Sequence, residues 1–150
     1  MTESTAVPRL PVTFRPGRTR AVLLTAAVAI FVVLVVIAVI LPALNPGERI
    51  SFVFTGALLS GALVLLARPK VTADESGVTV VNIATRRRLD WAEIVRVNLR
   101  PGDPWVFLDL SDGTSLPALG IQPGIAKQQA ISDARALRAL AEARSTGTGG

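Results

Sequence analysis

Two long apolar stretches dominate the first half of the chain. No charged side chain occurs between Arg20 and Glu48, and none between Arg49 and Arg68. A hydrocarbon core about 30 Å thick is crossed by about 20 apolar residues rising about 1.5 Å each. Residues from about 21 to 43 and from 50 to 67 meet that length. Between them, Asn45-Pro-Gly-Glu-Arg49 is turn chemistry. The pattern therefore predicts a two-helix transmembrane hairpin over residues 21–67. A cleaved signal peptide is the rival for the first span, but its apolar core is too long and no small-residue cleavage site precedes a polar start. In the second span Gly56 stands four residues before Ser60, and Ala57 four before Gly61. Such pairs let helix backbones approach closely, either within the hairpin or between two copies of it.

After Ala67 the apolar period shortens. Val78–Ile83 is β-branched and follows the turn cluster Glu75-Ser-Gly77. Ile94–Arg100 alternates strictly, with Val95, Val97 and Leu99 on one face and Arg96, Asn98 and Arg100 on the other. That is the period of a half-buried antiparallel strand. Pro101-Gly-Asp-Pro104 breaks it, Trp105–Leu110 follows as a further strand, and Asp112-Gly113 turns the chain into Thr114–Leu119. Thr85-Arg-Arg87 reads as a turn leading into a short Arg88–Leu89 segment. Beyond Pro123-Gly124 the period becomes 3.6: Ala126, Ala130, Ala134, Leu137 and Ala141, with Leu140 beside them, form one apolar stripe. Short antiparallel strands followed by one amphipathic helix predict a strongly bent sheet closed by that helix. The predicted organisation is a basic, unstructured cytoplasmic tail over 1–20, the hairpin over 21–67, a mainly-β domain over 68–143 and a disordered tail over 144–150.

Charge adds an orientation. The net charge of +5 is uneven, because Arg9, Arg15, Arg18 and Arg20 precede the first span, Arg68 and Lys70 follow the second, and the turn is neutral. Basic residues stay cytoplasmic, so both termini are expected there and the protein in a bacterial cell membrane as a multi-pass species. The excess over residues 68–150 is too slight for a nucleic-acid surface. The chain has neither Cys nor His. Disulfides, thiolate chemistry, the commonest general base and the commonest transition-metal ligand are thus all absent. The carboxylates Asp74, Glu75, Asp90, Glu93, Asp103, Asp109 and Asp112 are scattered, with no spacing that suits an acid–base pair or a calcium loop. The spans hold no ionisable residue, which argues against an ion or proton pathway. Neither an enzyme nor a cofactor-binding or metal-binding protein is expected.

Several short motifs in order carry a resemblance: Arg68-Pro69, Gly77-Val78, Arg88-x-x-Trp91-x-x-Ile94, Gly102-Asp103-x-Trp105, Asp112-Gly113 and Gly120-Ile121-Gln122. Preceded by the hairpin, they resemble the bacterial pleckstrin-homology-like membrane proteins, and among these the low molecular weight protein antigen 6 group. The resemblance implies a pleckstrin-homology (PH) fold, a seven-stranded, partly open barrel capped by a C-terminal helix. It names no settled activity.

Arg86, Arg87 and Arg88 form the sharpest candidate site. Three adjacent guanidiniums in a hairpin beside a membrane anchor suit anionic headgroups, at about 1 kcal/mol each near the surface. The resemblance points the same way, since a basic loop between early strands does this work in lipid-binding relatives. Two other readings compete: a solvated turn, or contact with an acidic protein partner. Adjacent strand residues point to opposite faces, so at most two of the three share a side. Trp91, close to Ile94, is expected to anchor the core, while Trp105–Leu110 is apolar on both faces at its start. The functional expectation is a non-enzymatic adaptor held in the bilayer that binds a protein partner, with anionic phospholipid as the alternative ligand and homo-oligomerisation open.

Overall fold

The computed structural model describes residues 7–148. Its described residues divide into two compact units, residues 17–68 and residues 7–16 with 69–148.

The first unit is a helical hairpin. Helix α1 covers Gly17–Ile40 and α2 covers Pro46–Leu66. At about 1.5 Å per residue they are about 36 and 31 Å long, enough to cross a bilayer core. Few residues are buried in them: Ala27 and Ala38 in α1, and Gly56 in α2. Val28, Val39, Ile50, Phe54 and Leu58 are among the large apolar side chains left exposed.

The connection differs from the expected one. It spans residues 41–45 rather than Asn45–Arg49, because Pro42 disfavours helix at Leu41 and Pro46 opens α2. Asn45 caps α2 through a capping box: its Oδ1 accepts from Glu48 N–H at 2.9 Å, while its own N–H donates to Glu48 Oε2 at 3.0 Å. Arg49 reaches back to the last turn of α1. Its guanidinium donates to the carbonyls of Ala38, of Val39 at 3.2 Å and of Leu41 at 2.9 Å. Those carbonyls have no helical partner, and a cation suits that end of the helix dipole. Arg18 and Arg20, expected in the tail, lie in the first turn of α1.

The two helices pack through small residues. A Cβ added at Gly56 would stand 3.3 Å from Leu34 Cβ, and Ser60 Oγ donates to the Ala27 carbonyl at 2.8 Å. Gly61 faces open space. The Gly56/Ser60 pair thus serves the hairpin itself.

The second unit carries two antiparallel sheets and a helix. Strands β1 (Val12–Phe14), β2 (Lys70–Asp74), β3 (Gly77–Val81) and β4 (Arg86–Asp90) form a four-stranded sheet in that order. Strands β5 (Ile94–Asn98), β6 (Val106–Leu110) and β7 (Ser115–Ala118) form the second, followed by α3 (Lys127–Thr148). The sheets are not closed into one barrel, and the fold is PH-like.

Three expectations change. Residues 12–14, expected within an unstructured tail, pair with β2 at Val12–Ala73, Thr13–Thr72 and Phe14–Val71. Phe14 is buried in the core. The strand is legible only through this pairing, since three residues between Pro11 and Arg15 show no period. The sheet thus takes its first strand from before the hairpin and its second from after it. At the other end, α3 continues past residue 143, so the backbone of residues 144–148 is helical and not a disordered tail. The remainder of that tail and residues 1–6 lie outside the described residues. Finally, Arg86 and Arg87 belong to β4, and the turn is residues 82–85.

The core forms where the sheets and α3 meet. Val71, Val78, Leu89, Val97, Val106 and Leu108 face inward beneath Leu137 and Leu140 of α3. The helix stripe expected from the 3.6 period is the buried one, from Ala126 through Ala141. Its alanines let α3 lie close to the sheet. Glycine is required at residue 120, where a Cβ would meet the Lys70 backbone at 2.5 Å. Nearby, buried Asn82 ties the sheets together: Nδ2 donates to the Pro117 carbonyl at 2.8 Å, and Oδ1 accepts from Leu119 N–H at 3.0 Å.

Candidate functional site

The three arginines of β4 do not form one cluster. Opposite them on β3 stand Val81, Val80 and Thr79 for Arg86, Arg87 and Arg88 respectively. Side chains alternate along a strand, so Arg86 and Arg88 share one face while Arg87 shares the face of Leu89. All three are exposed.

Arg88 is fully engaged. Its Nη1 donates to Asp74 Oδ2 and its Nη2 to Asp74 Oδ1, both at 2.7 Å, in a bidentate fork. Nη1 also reaches Thr79 Oγ1 at 3.0 Å, and Nη2 reaches Ser76 Oγ. The carboxylate gathers more donors, accepting from Ser76 N–H at 2.9 Å and Gly77 N–H at 3.0 Å. Bonding from Arg88, joined by Ser76 and Gly77, holds the Asp74 carboxyl well below the usual carboxylate range. Reciprocally, Asp74 raises the affinity of the guanidinium for its proton. The indole Nε1 of Trp91 donates to the Asp74 carbonyl at 2.9 Å. Trp91 is buried, as expected, with its polar tip satisfied. This knot fixes the β2–β3 turn to β4 and is structural in character. Its sequence signal was the Asp74-x-Ser76-Gly77 run, which marks a turn but not its arginine partner.

Arg87 lies within electrostatic reach of Asp112, whose carboxyl is held below its ordinary value first by bonding from Thr114 and then by that cation. The Asp112 Oδ1 accepts from Thr114 N–H at 2.9 Å and from its hydroxyl at 2.5 Å, closing the β6–β7 turn. Arg86 has no ion pair among the described residues. The register places Arg86 beside Val81, and Val81 beside Lys70. Lys70 and Arg86 therefore mark the same end of the four-stranded sheet, the end next in sequence to the hairpin.

The face of β6 is also resolved. Val106, Leu108 and Leu110 point inward, while Trp105, Phe107 and Asp109 are half-buried on the outer side. The Trp105 and Phe107 rings lie 6.5 Å apart at 50°, and Asn98 Nδ2 donates to Asp109 Oδ2 at 2.7 Å. On α3, burial pushes the Asp133 carboxyl up to about 6, against a bond from Gln129. Gln129 Nε2 in turn donates to the Arg15 carbonyl at 3.0 Å. Sequence reasoning missed one further feature, Arg138 of α3, whose Nη2 donates to the Val97 carbonyl at 2.9 Å. Among the described residues, no three His, Cys, Asp or Glu side chains gather to hold a metal.

Comparison with known proteins gives a consistent answer. Uncharacterized proteins of Mycobacterium tuberculosis and Mycobacterium bovis are 29% identical over 93 residues, which is 62% of this chain. The match spans 60% of the length of those relatives. No solved structure matches the chain. The family described as bacterial PH domain matches residues 68–140, beginning just ahead of β2 and ending inside α3. Strand β1 lies outside that stretch. Over residues 68–140 this chain is similar to the bacterial PH domains, a fold that serves in general as a protein-interaction or lipid-interaction module.

Proposed function

We propose that this protein is a membrane-anchored adaptor of the bacterial cell membrane, of the low molecular weight protein antigen 6 group. Both spans of the hairpin cross the bilayer, both termini are cytoplasmic, and the PH-like domain binds a protein partner without catalysis. One observation carries the reading: two helices of 24 and 21 residues, apolar and mostly exposed, are inserted between paired strands β1 and β2. Only two residues separate Phe14 from Gly17, and three separate Leu66 from Lys70. Both outer ends of the hairpin are therefore tied by short connections to one ladder, which suits two crossings that start and finish on one side. The flanking Arg15, Arg18, Arg20, Arg68 and Lys70 favour the cytoplasmic side. Because the anchor supplies membrane affinity, the domain is free to spend its surface on a partner.

The test uses single cysteines, since the natural chain has none. A cysteine at Ala43 should be labelled by an impermeant maleimide in intact spheroplasts, and one at Ser111 only after lysis. Labelling of Ser111→Cys from outside, or release of the protein by alkaline carbonate, overturns the reading.

The second reading is recognition of anionic headgroups by Arg86 and Arg87. It is favoured by their exposure and by Lys70 at the same end of the sheet. Arg88 contributes less, since Asp74 occupies its fork. The full chain must be used, because residues 69–143 alone lack β1. In nanodiscs, selective enrichment of an anionic lipid that Arg86→Ala with Arg87→Ala removes would favour lipid over protein.

A further inference from the structure

The connection from β7 to α3 is pinned at both ends to residues that flank the hairpin in sequence. At residue 120 the chain lies so close to Lys70 that a Cβ would stand 2.5 Å from its carbonyl carbon and 2.7 Å from Val71 N. Further along, Gln129 Nε2 donates to the Arg15 carbonyl at 3.0 Å. Arg15 stands two positions before α1 begins, and Lys70 four positions after α2 ends. The segment between these two contacts therefore borders both points at which the chain leaves the PH-like unit for the hairpin.

The tip of that segment is a tight turn. Ala126 N–H donates to the Pro123 carbonyl at 2.7 Å, with Gly124 at φ +37° and Ile125 between them. Ile121 and Ala126 are buried on either side, yet Ile125 is 60% exposed. Turn tips ordinarily carry Gly, Pro, Asn, Asp or Ser, so an aliphatic side chain held out there runs against the local chemistry. The charge around it is basic. From Gly113 to Ser132 the only charged side chain is Lys127, which is exposed, and Arg15 and Lys70 add to it at the pinned ends. The next carboxylate along α3, Asp133, is half-buried and accepts from Gln129. A single exposed aliphatic is ordinary on a protein surface. This one is set apart by its place between the two departure points and by the cations that ring it.

We propose that the β7–α3 connection is a membrane contact in its own right: Ile125 enters the cytoplasmic leaflet at headgroup level, and Lys127, Arg15 and Lys70 meet anionic headgroups around it. An aliphatic side chain ringed by cations suits the boundary between headgroups and acyl chains. The contact uses a different connection and a different chemistry from the arginines of β4. It adds a third attachment to the two chain connections, and three points fix the tilt of the PH-like unit over the bilayer. It rests on the topology proposed above.

The probe is the unaltered full chain with labelled isoleucine and valine methyls, in nanodiscs of phosphatidylcholine and phosphatidylglycerol. Relaxation is enhanced in one sample by a lipid bearing a nitroxide high on its acyl chain, and in another by a soluble gadolinium chelate. Ile40 and Ile50, exposed on the hairpin, report the bilayer, and Val95, exposed on β5, reports water. Ile125 should follow the hairpin methyls, its lipid-induced enhancement exceeding that of Val95 by about tenfold or more. Lys127→Glu, at an exposed position, should lower the Ile125 value by about twofold or more. Bleaching of Ile125 by the chelate, a response to neither probe as in contact with a second copy, or indifference to Lys127→Glu would each overturn the proposal. Where Ile40 and Ile50 stay in lipid through such a result, the loop contact alone falls. Where they take the chelate instead, the anchor reading falls with it.

Discussion

The hairpin and the PH-like unit place the same kinds of residue in opposite surroundings. In α1 and α2 valine and leucine stay outside, and the contact between the helices is made by Gly56, Ser60 and Ala27. In the second unit valine and leucine go inside, and the exposed face of β4 is arginine. The bilayer setting proposed for the hairpin accounts for the contrast. In water, apolar area removed from contact stabilises by about 25 cal/mol per Å². In lipid that term vanishes between helices, leaving close packing and hydrogen bonds to hold them. Each half of the chain reads as inside-out when judged by the rule of the other.

The largest effect that can break this comparison is a core truncation. Leu108→Ala or Leu137→Ala, both at fully buried positions, should cost about 2–5 kcal/mol. Leu58→Ala on the hairpin, 60% exposed, should change domain stability by less than about 0.5 kcal/mol. Urea unfolding in nanodiscs followed by tryptophan emission measures both, because Trp91 and Trp105 lie in the PH-like unit. Equal costs for the two sites would erase the distinction.

Next in size is the strand that precedes the hairpin. Phe14→Ala should cost about 3 kcal/mol by the same measurement, since Phe14 is 5% exposed among core residues. A silent substitution would return residues 12–14 to the status of a tail. Within the hairpin, Gly56→Leu should force the helices apart and Gly61→Leu should not. Cysteines at Ala27 and Ser60 report this, their crosslinking yield falling only with the first substitution.

The smallest effects are those of pH, and their signs oppose one another. Asp74 is held ionised, so the contribution of its pair with Arg88 is present above the unfolded carboxyl value near 4 and fades as pH falls through the folded one. Asp133 is raised to about 6 by burial, so its folded form favours the proton. Its contribution is therefore complete below about 4 and is lost as pH climbs through 6. Asp133→Asn should stabilise the protein at pH 7 and change little at pH 4, whereas Asp74→Asn should flatten the acid limb. Asp74 is well exposed and Asp133 only half-buried, so midpoint shifts in urea, not large energies, are the expected readout.

Much of the architecture was legible because each period is carried by many residues. The charge-free runs and the alanine stripe of α3 survive one ambiguous position. The strict alternation expected of β5 does not: a register shift between Ile94 and Arg96 buries Ile94 and Val97 and leaves Val95 exposed instead of on the face of Val97. What was not legible depends on few residues or on distant partners. Strand β1 exists because Phe14 finds Val71 across the whole hairpin, a pairing no local window contains. The turn moved because Pro42 and Pro46 outweigh the polar run Asn45–Arg49, and Arg49 serves α1 from within α2. At the candidate site, Arg86, Arg87 and Arg88 read as equivalent in one dimension. Alternation and the Asp74 fork make them three different residues. Val97 and Arg138, 41 positions apart, meet only in the folded chain.

The insertion of the hairpin between β1 and β2 has a consequence for biosynthesis. A ribosome delivers Phe14 long before Val71, and on the topology proposed above everything between them enters the bilayer first. On that proposal the sheet is completed only after both crossings have been made, and a copy whose hairpin inserted wrongly would leave β2 without its neighbour. If both spans cross as proposed, correct integration and a finished domain are one event, and cellular proteases that attack unpaired strands would inspect both at once.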